Sequence, residues 1–207
     1  MLVLLGVLSL GALDASGAAA AKMKLHPRHG KGQEEELPEG AVVLASRNLA
    51  FTTAAGAFEC TLSELSGRLA GYEGTKAIAL EALEAIAIGE AGPDSACASS
   101  FAQGPAVVTL SGLPWAGELT AHRAFDLKGQ IGLELSFPDE PGVQCVYATK
   151  KLKSAYTAGT PGKPAPIEVT TSAQKLKRAK LASSAVCPKS GTLSATWETN
   201  LEGEIEA

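Results

Sequence analysis

The stretch IGLELSF, residues 131–137, indicates most clearly which fold this chain of 207 residues adopts. Apolar side chains alternate in it with small or polar ones, and a period of two places the apolar set on one face of an extended strand. The apolar set consists of Ile131, Leu133, Leu135 and Phe137. We therefore predict a β-strand with one face in the protein core and the other in solvent.

The same alternation recurs in three segments that contain cysteine or tryptophan. They are FECTLS at 58–63, VQCVYAT at 143–149 and GTLSATWE at 191–198. Glycine and proline, which favour turns, separate the strand candidates, as in AGTPGKPAP at 158–166. Many short strands with dense turn signals predict an all-β fold, either an antiparallel β-sandwich or a barrel.

The segment TKAIALEALEAIAIGE, residues 75–90, is ambiguous between helix and strand. It consists of strong helix formers, and Leu80, Leu83 and Ala87 fit a helical stripe. The residues that share one strand parity are Ile78, Leu80, Ala82, Ile86 and Ile88. We predict a strand here; a helix over 76–90 would make the fold α+β instead.

The N-terminus has the layout of a secretory signal peptide. An apolar run from Leu2 is followed by small residues that end at Ala21, which predicts cleavage after Ala21. The run is shorter than the roughly 20 residues that a membrane span needs, and no later segment could span a bilayer. No positive residue precedes it, so an upstream start or an uncleaved anchor is the alternative.

Three regions follow from this organisation. Residues 1–21 are the expected signal peptide, and residues 22–40 mix basic residues with glutamates and are expected to form a disordered tether. Residues 41–207 are expected to form a single β-domain. Two faintly similar halves, 41–137 and 138–207, leave an old duplication open as an alternative to chance similarity.

Four cysteines in an exported chain predict two disulfides, because secretion leads to an oxidising compartment. The four are Cys60, Cys97, Cys145 and Cys187, and none belongs to a C-x-x-C pair. Three pairings are possible. We predict Cys60–Cys97 with Cys145–Cys187, because each pair would close a compact half of the chain.

Charge is segregated along the sequence. Residues 150–180 carry eight basic side chains against Glu168 alone, net +7, whereas residues 34–90 carry ten glutamates against three basic residues, net −7. The candidate binding residues of the basic stretch are Lys150, Lys151, Lys153, Lys175, Lys177, Arg178 and Lys180. If the fold keeps the two segments apart, the basic one could hold an anionic polymer; otherwise its lysines only cover exposed strands and edges.

No motif for catalysis, cofactor binding or metal binding is present. The chain lacks a G-x-S-x-G nucleophile turn and a phosphate-binding loop, and beyond residue 40 it has one histidine, His122. Without the leader the chain has 18 basic and 21 acidic residues, net −3, which argues against general nucleic-acid binding. We expect no catalytic residue, cofactor or metal.

Trp115, in SGLPWAG, has two interpretations. An exposed tryptophan on a loop could stack on a sugar ring, whereas a tryptophan behind Leu-Pro at a strand end could close one end of the core. The first interpretation keeps Trp115 as a candidate binding residue.

The order of cysteine-centred motifs resembles that of uncharacterised secreted proteins from GC-rich actinobacteria. The motifs are Cys60, Cys97, SGLPW at 111–115, CVY at 145–147 and CPKSGTLSATW at 187–197. The resemblance covers most of the chain from about residue 57. It implies export, two disulfides and a β fold, and it carries no activity or functional residues to this chain.

The sequence therefore predicts an exported, non-enzymatic β-scaffold, secreted or associated with the cell envelope. The expected partner is an anionic envelope polymer or another secreted protein, bound through the basic stretch. The alternative is an inhibitor or a carbohydrate-binding module that uses the Trp115 loop. The ligand and the oligomeric state stay open.

Overall fold

The computed structural model describes residues 21–27, 40–75, 77–89, 96–101, 104–180 and 183–206. These residues form fourteen strands and no helix, so no described helix is long and apolar enough to cross a membrane. The strands are β1 Lys22–Pro27, β2 Ala41–Ser46, β3 Leu49–Thr53, β4 Gly56–Cys60, β5 Leu62–Leu69, β6 Glu73–Gly74, β7 Ala77–Gly89, β8 Ala98–Ser99, β9 Val107–Ser111, β10 Trp115–Thr120, β11 Ala124–Ser136, β12 Gln144–Thr157, β13 Ala165–Arg178 and β14 Ser190–Glu206.

Eight antiparallel strands close into a barrel. Their order is β13-β12-β11-β10-β7-β5-β2-β14, and β14 pairs again with β13. The predicted all-β class is thereby confirmed, with a barrel rather than a sandwich. β7 occupies the ambiguous segment, so the helical alternative and the α+β class that it implied are wrong.

The four long strands β11 to β14 extend beyond one end of this barrel, where β11 and β14 pair with short strands that are not part of it. The second circuit runs β9-β11-β12-β13-β14-β3-β4-β8. It closes through two backbone hydrogen bonds between Cys97 and Ala106, of 2.7 and 2.9 Å. We call this part the disulfide ring: β3, β4, β8, β9 and the adjoining parts of β11 to β14.

Both disulfides lie in the disulfide ring, with the predicted pairing. Cys60–Cys97 joins the end of β4 to the residue before β8, with a Cα–Cα distance of 4.6 Å. Cys145–Cys187 joins the start of β12 to the loop before β14, with a Cα–Cα distance of 5.6 Å. The two bonds therefore link segments that are 37 and 42 residues apart in the sequence.

The barrel and the disulfide ring have different cores. The barrel interior is lined by aliphatic side chains with Trp115 and Trp197, which leave a cavity of only about 30 Å³. The core of the disulfide ring is aromatic: the Phe51 ring lies 5.6 Å from that of Phe58 and 4.7 Å from that of Tyr147, measured between centroids. A cavity of this size has room for about one water molecule, so the barrel is a packed core.

The apolar side chains of residues 131–137 are buried, as the alternation predicts. Ile131, Leu133, Leu135 and Phe137 are each at most 3% exposed. They run from the barrel into the disulfide ring along one strand, because β11 pairs with β10 in its first half and with β9 in its second.

A β-bulge explains why β7 resembles a helix in sequence. Ile78 and Leu80 are buried, but Ala82 is exposed with a positive φ of 49°, and the next buried residue is Leu83. The extra residue changes the step between inward positions from two to three, which imitates a helical spacing. The predicted inward position of Ala82 is therefore wrong, and the strand changes its inward parity at the bulge.

The predicted disordered tether is wrong for residues 22–27, which form β1; residues 28–39 lie outside the described residues. Six residues of β1 pair with the end of β14. Met23 and Leu25 are at most 2% exposed because they close the end of the barrel opposite the disulfide ring. The domain therefore begins at β1, and the alternation KMKL was its only signal in the sequence.

Strands from both predicted halves form one barrel. Residues 138–207 contribute β12, β13 and β14, and residues 41–137 contribute the other five barrel strands. β14 pairs with β1, β2 and β3, so neither half is a separate unit.

Candidate anion-binding face

The outer surface of β12 and β13 carries most of the predicted basic residues. In β13, Leu176 points into the core while Lys175 and Lys177 on either side of it are exposed. In β12 the inward parity changes between Thr149 and Leu152, and Lys150 faces solvent at this point. We call this surface the lysine face: Lys150, Lys153, Lys175, Lys177 and Lys180.

The lysines of this face lie on or next to two adjacent antiparallel strands. Lys177 pairs with Ala148, and Lys150 and Lys175 lie two residues farther along β12 and β13, in a segment where the two strands do not pair again until Ala155 and Thr170. Like charges on adjacent strands repel one another. None of the five lysines forms an ion pair with a described residue.

Two members of the predicted set have other partners. Lys151 Nζ lies 2.6 Å from Asp126 Oδ2 on β11, so its charge is neutralised. Arg178 Nη1 donates hydrogen bonds to the carbonyl oxygens of Ala185 (3.0 Å) and Cys187 (2.5 Å), and so holds the loop before β14. These contacts give both side chains a structural role, and their part in binding stays a prediction.

The structure adds Lys189, which sequence reasoning did not include. Its carbonyl oxygen accepts a 2.9 Å hydrogen bond from the Arg178 backbone nitrogen, and its side chain is exposed. Lys189 lies nine residues beyond the end of the basic stretch at Lys180. Only the pairing of β13 with β14 brings it to the same end of the molecule.

Three glutamates of the predicted acidic segment lie on the other side of the barrel. Glu64 on β5 and Glu81 and Glu84 on β7 project outward, with Arg68 among them. Two strands, β11 and β10, separate β12 from β7, and two more, β14 and β2, separate β13 from β5. These three glutamates are thus separated from the lysine face, whereas Glu168 on β13 and Glu198, which lies opposite it on β14, carry negative charge on the strands of that side. Glu34, Glu35, Glu36, Glu39 and Glu90 lie outside the described residues.

Trp115 is 3% exposed and lies inside the barrel. Its indole Nε1–H donates a 3.2 Å hydrogen bond to the Ser111 carbonyl oxygen, so the polar atom of the ring is satisfied internally. A sugar ring cannot stack on a side chain in this position. The stacking-platform interpretation of Trp115 is wrong, and the core interpretation is confirmed.

The buried titratable groups belong to the cores. Burial raises the pKa of Tyr147 to about 12 and that of Tyr156 to about 12. The Tyr156 hydroxyl donates to the Thr120 carbonyl oxygen at 2.6 Å, whereas the Tyr147 hydroxyl has no hydrogen-bond partner among the described residues. Both side chains are at most 3% exposed.

Two ion pairs fix β1 at the opposite end of the barrel. Lys24 Nζ lies 2.6 Å from Glu206 Oε1, and this hydrogen bond raises the pKa of Lys24. Lys22 Nζ lies 2.7 Å from Glu73 Oε2, and this hydrogen bond lowers the pKa of Glu73. These lysines are committed to partners, in contrast to those of the lysine face.

The described residues contain no group of three or more His, Cys, Asp or Glu side chains placed to hold a metal ion. His122 is exposed in the turn between β10 and β11, and the nearby Asp126 is engaged by Lys151. Comparisons with protein-family models, curated proteins and solved structures found no match. The assignment of a function therefore depends on the surface of this chain itself.

Proposed function

We propose that this protein is an exported, disulfide-stabilised β-barrel that attaches to an anionic component of the cell envelope through its lysine face. The observation that carries the proposal is the group of exposed lysines on β12 and β13 that form no ion pair with any residue the structure describes. Like charges on adjacent strands cost stability, so a surface that keeps them together has a use for them in binding.

The distribution of the remaining charges supports this role. The lysine face and the glutamates of β5 and β7 lie on opposite sides of the barrel, so these glutamates disfavour the approach of an anionic partner from the side away from the lysines. Such a charge dipole orients the protein as it approaches an extended negative surface. The packed interior, with its cavity of about 30 Å³, leaves the outer surface as the place of contact.

Export accounts for the disulfides and for the N-terminal sequence. Both cystines join strands that are distant in the chain, and such bonds persist in oxidising compartments outside the cytoplasm. The apolar leader that ends at Ala21 directs the chain there.

The test measures binding to immobilised polyphosphate as salt is raised. We expect the triple variant Lys150→Gln, Lys175→Gln, Lys177→Gln to bind at least tenfold more weakly than wild type at low salt, because three unpaired charges are lost. The matched control is Arg47→Gln, Arg68→Gln, Lys163→Gln, which removes three exposed charges outside the lysine face that form no ion pair with a described residue. Equal loss in both triple variants, or binding that ignores salt, would overturn the proposal.

A further inference from the structure

The exposed side chain of Val186 is the unexplained apolar feature of the surface. It is 72% exposed, and it is the only large hydrophobic side chain that is exposed among the described residues. It lies at the tip of a tight turn, because the Cys187 backbone nitrogen donates to the Ser184 carbonyl oxygen at 3.1 Å. A single exposed apolar side chain is common on protein surfaces, so the significance of Val186 depends on what surrounds it.

This turn, which we call the Val186 turn (residues 184–187), is held firmly from three sides. The Cys145–Cys187 disulfide ties one end of the turn to β12, and the Arg178 side chain donates hydrogen bonds to the carbonyl oxygens of Ala185 and Cys187. The Ser184 side chain accepts a 3.0 Å hydrogen bond from the Gln144 backbone nitrogen. Because these restraints already order the turn in the free protein, little conformational entropy is lost when its apolar tip binds a partner.

The Val186 turn lies at the end of the molecule where the lysine face ends. Arg178, which binds the turn, follows Lys177 and precedes Lys180, and Lys189 pairs beside it. Asp139 and Glu140 on the neighbouring β11–β12 turn carry negative charge at this end, so the positive charge near the Val186 turn is that of the lysines of β12 and β13 and of Lys189. A projecting aliphatic group beside unpaired lysines fits a surface that is anionic outside and apolar within.

From these contacts we infer that the anionic component is the lipid bilayer itself, with Val186 inserted among the acyl chains and the lysine face on the anionic headgroups. The inference rests on the proposed function and names its partner. A water-soluble polymer such as a polyphosphate offers Val186 no apolar environment, whereas the boundary between headgroups and acyl chains does. An inhibitor loop is disfavoured, because peptide capture at a strand edge needs extended backbone and this tip is a turn.

The first experiment uses Val186→Trp as a reporter on the full folded chain. Trp115 and Trp197 are both at most 7% exposed, so a tryptophan at position 186 would be the exposed one. With vesicles of phosphatidylglycerol and phosphatidylcholine we expect its emission to shift to the blue, and with pure phosphatidylcholine vesicles we expect no shift. His122→Trp, on the turn at the opposite end of the barrel, is the control and should not respond.

The second experiment compares Val186→Ser with wild type on two ligands. We expect the affinity for phosphatidylglycerol vesicles to fall about fivefold and the affinity for soluble polyphosphate to stay unchanged. Equal affinity of both proteins for vesicles, together with an unshifted Val186→Trp spectrum, would overturn the lipid inference and leave the proposed function standing. Failure of wild type to bind either ligand would overturn both.

Discussion

The barrel and the disulfide ring share four strands but are held together in different ways. In the barrel, strands of up to 17 residues pair around an aliphatic core with two tryptophans. In the disulfide ring, β3, β4, β8 and β9 have two to five residues each and pack around an aromatic cluster. Short strands form few ladder hydrogen bonds, and here the covalent bonds compensate for the missing ones.

The largest expected effect is the loss of either disulfide. In the chain-entropy model, loops of 37 and 42 residues each give about 4 kcal/mol. We therefore expect the double variants Cys60→Ala, Cys97→Ala and Cys145→Ala, Cys187→Ala each to lower the free energy of unfolding by about 4 kcal/mol in urea titrations.

The two tryptophans lie in the barrel and report on it alone. Tyr147 of the disulfide ring and Tyr156 of the barrel both contribute to the tyrosine signal in near-UV circular dichroism, so we expect part of that signal to be lost in these variants at a lower urea concentration than the tryptophan emission. Loss of less than about 1 kcal/mol in both variants would contradict the role given to the cystines.

Gly191 tests how tightly the aromatic core of the disulfide ring is packed. It lies on β14 under the Phe51 ring, and a Cβ atom built on it would meet that ring's carbon atoms at under 3 Å. We expect Gly191→Ala to cost about 3 kcal/mol, because overpacking forces the aromatic cluster apart. Gly71→Ala is the matched control, since a Cβ there meets nothing within 4 Å, and it should leave the urea midpoint nearly unchanged.

The two buried tyrosines form a pair, one in each region. Tyr147→Phe removes a buried hydroxyl that has no described partner, so we expect a gain of about 1 kcal/mol. Tyr156→Phe breaks a 2.6 Å hydrogen bond to the Thr120 carbonyl oxygen, so we expect a loss of about 1 kcal/mol. Effects of the same sign in the two variants would show that the contrast between the hydroxyls is not real.

The raised pKa values of the same two tyrosines predict how the stability of the fold decreases at high pH. Their pKa values in the folded protein are about 12, above the value of about 10 in an unfolded chain. Because the neutral form is favoured in the fold, this contribution to stability is complete below pH 10 and is lost between pH 10 and pH 12. Urea midpoints measured over that range should fall steadily in wild type, and more shallowly in Tyr156→Phe.

The smallest expected effects concern the bulges of β7 and β13. Ala82 and Ala173 have positive φ angles of 49° and 44°, and both are exposed. Glycine adopts such angles without the clash of a Cβ atom, so Ala82→Gly and Ala173→Gly should each raise stability by about 0.5 kcal/mol. A decrease in thermal midpoint in both variants would contradict the assigned bulges.

The sequence predicted the strand class and both cystines because these depend on local patterns. Alternation in 131–137 and an even number of cysteines needed no knowledge of the tertiary structure. The bulge at Ala82 could not be predicted, because a positive φ at alanine follows from pairing with β5 and β10 on either side. β1 was missed because four alternating residues are too short a signal against a charged, proline-containing neighbourhood.

The basic character of the candidate site was predictable from the sequence, but which residues belong to the site was not. The sequence contained the basic stretch, yet only the fold shows that Lys151 is neutralised by Asp126 and that Arg178 holds a loop. Lys189 and Val186 were missed because they join this end of the molecule through the β13–β14 pairing and the Cys145–Cys187 bond. Long-range contacts of this kind leave no local pattern in a sequence.

The most direct test of the account is co-sedimentation of the mature protein with purified cell envelopes of the producing organism, at low and at high salt. The account predicts that wild type sediments at low salt and is released at high salt, and that Lys150→Gln, Lys175→Gln, Lys177→Gln stays in the supernatant at both. Wild-type protein that stays in the supernatant at low salt, or a triple variant that sediments as well as wild type, would contradict it.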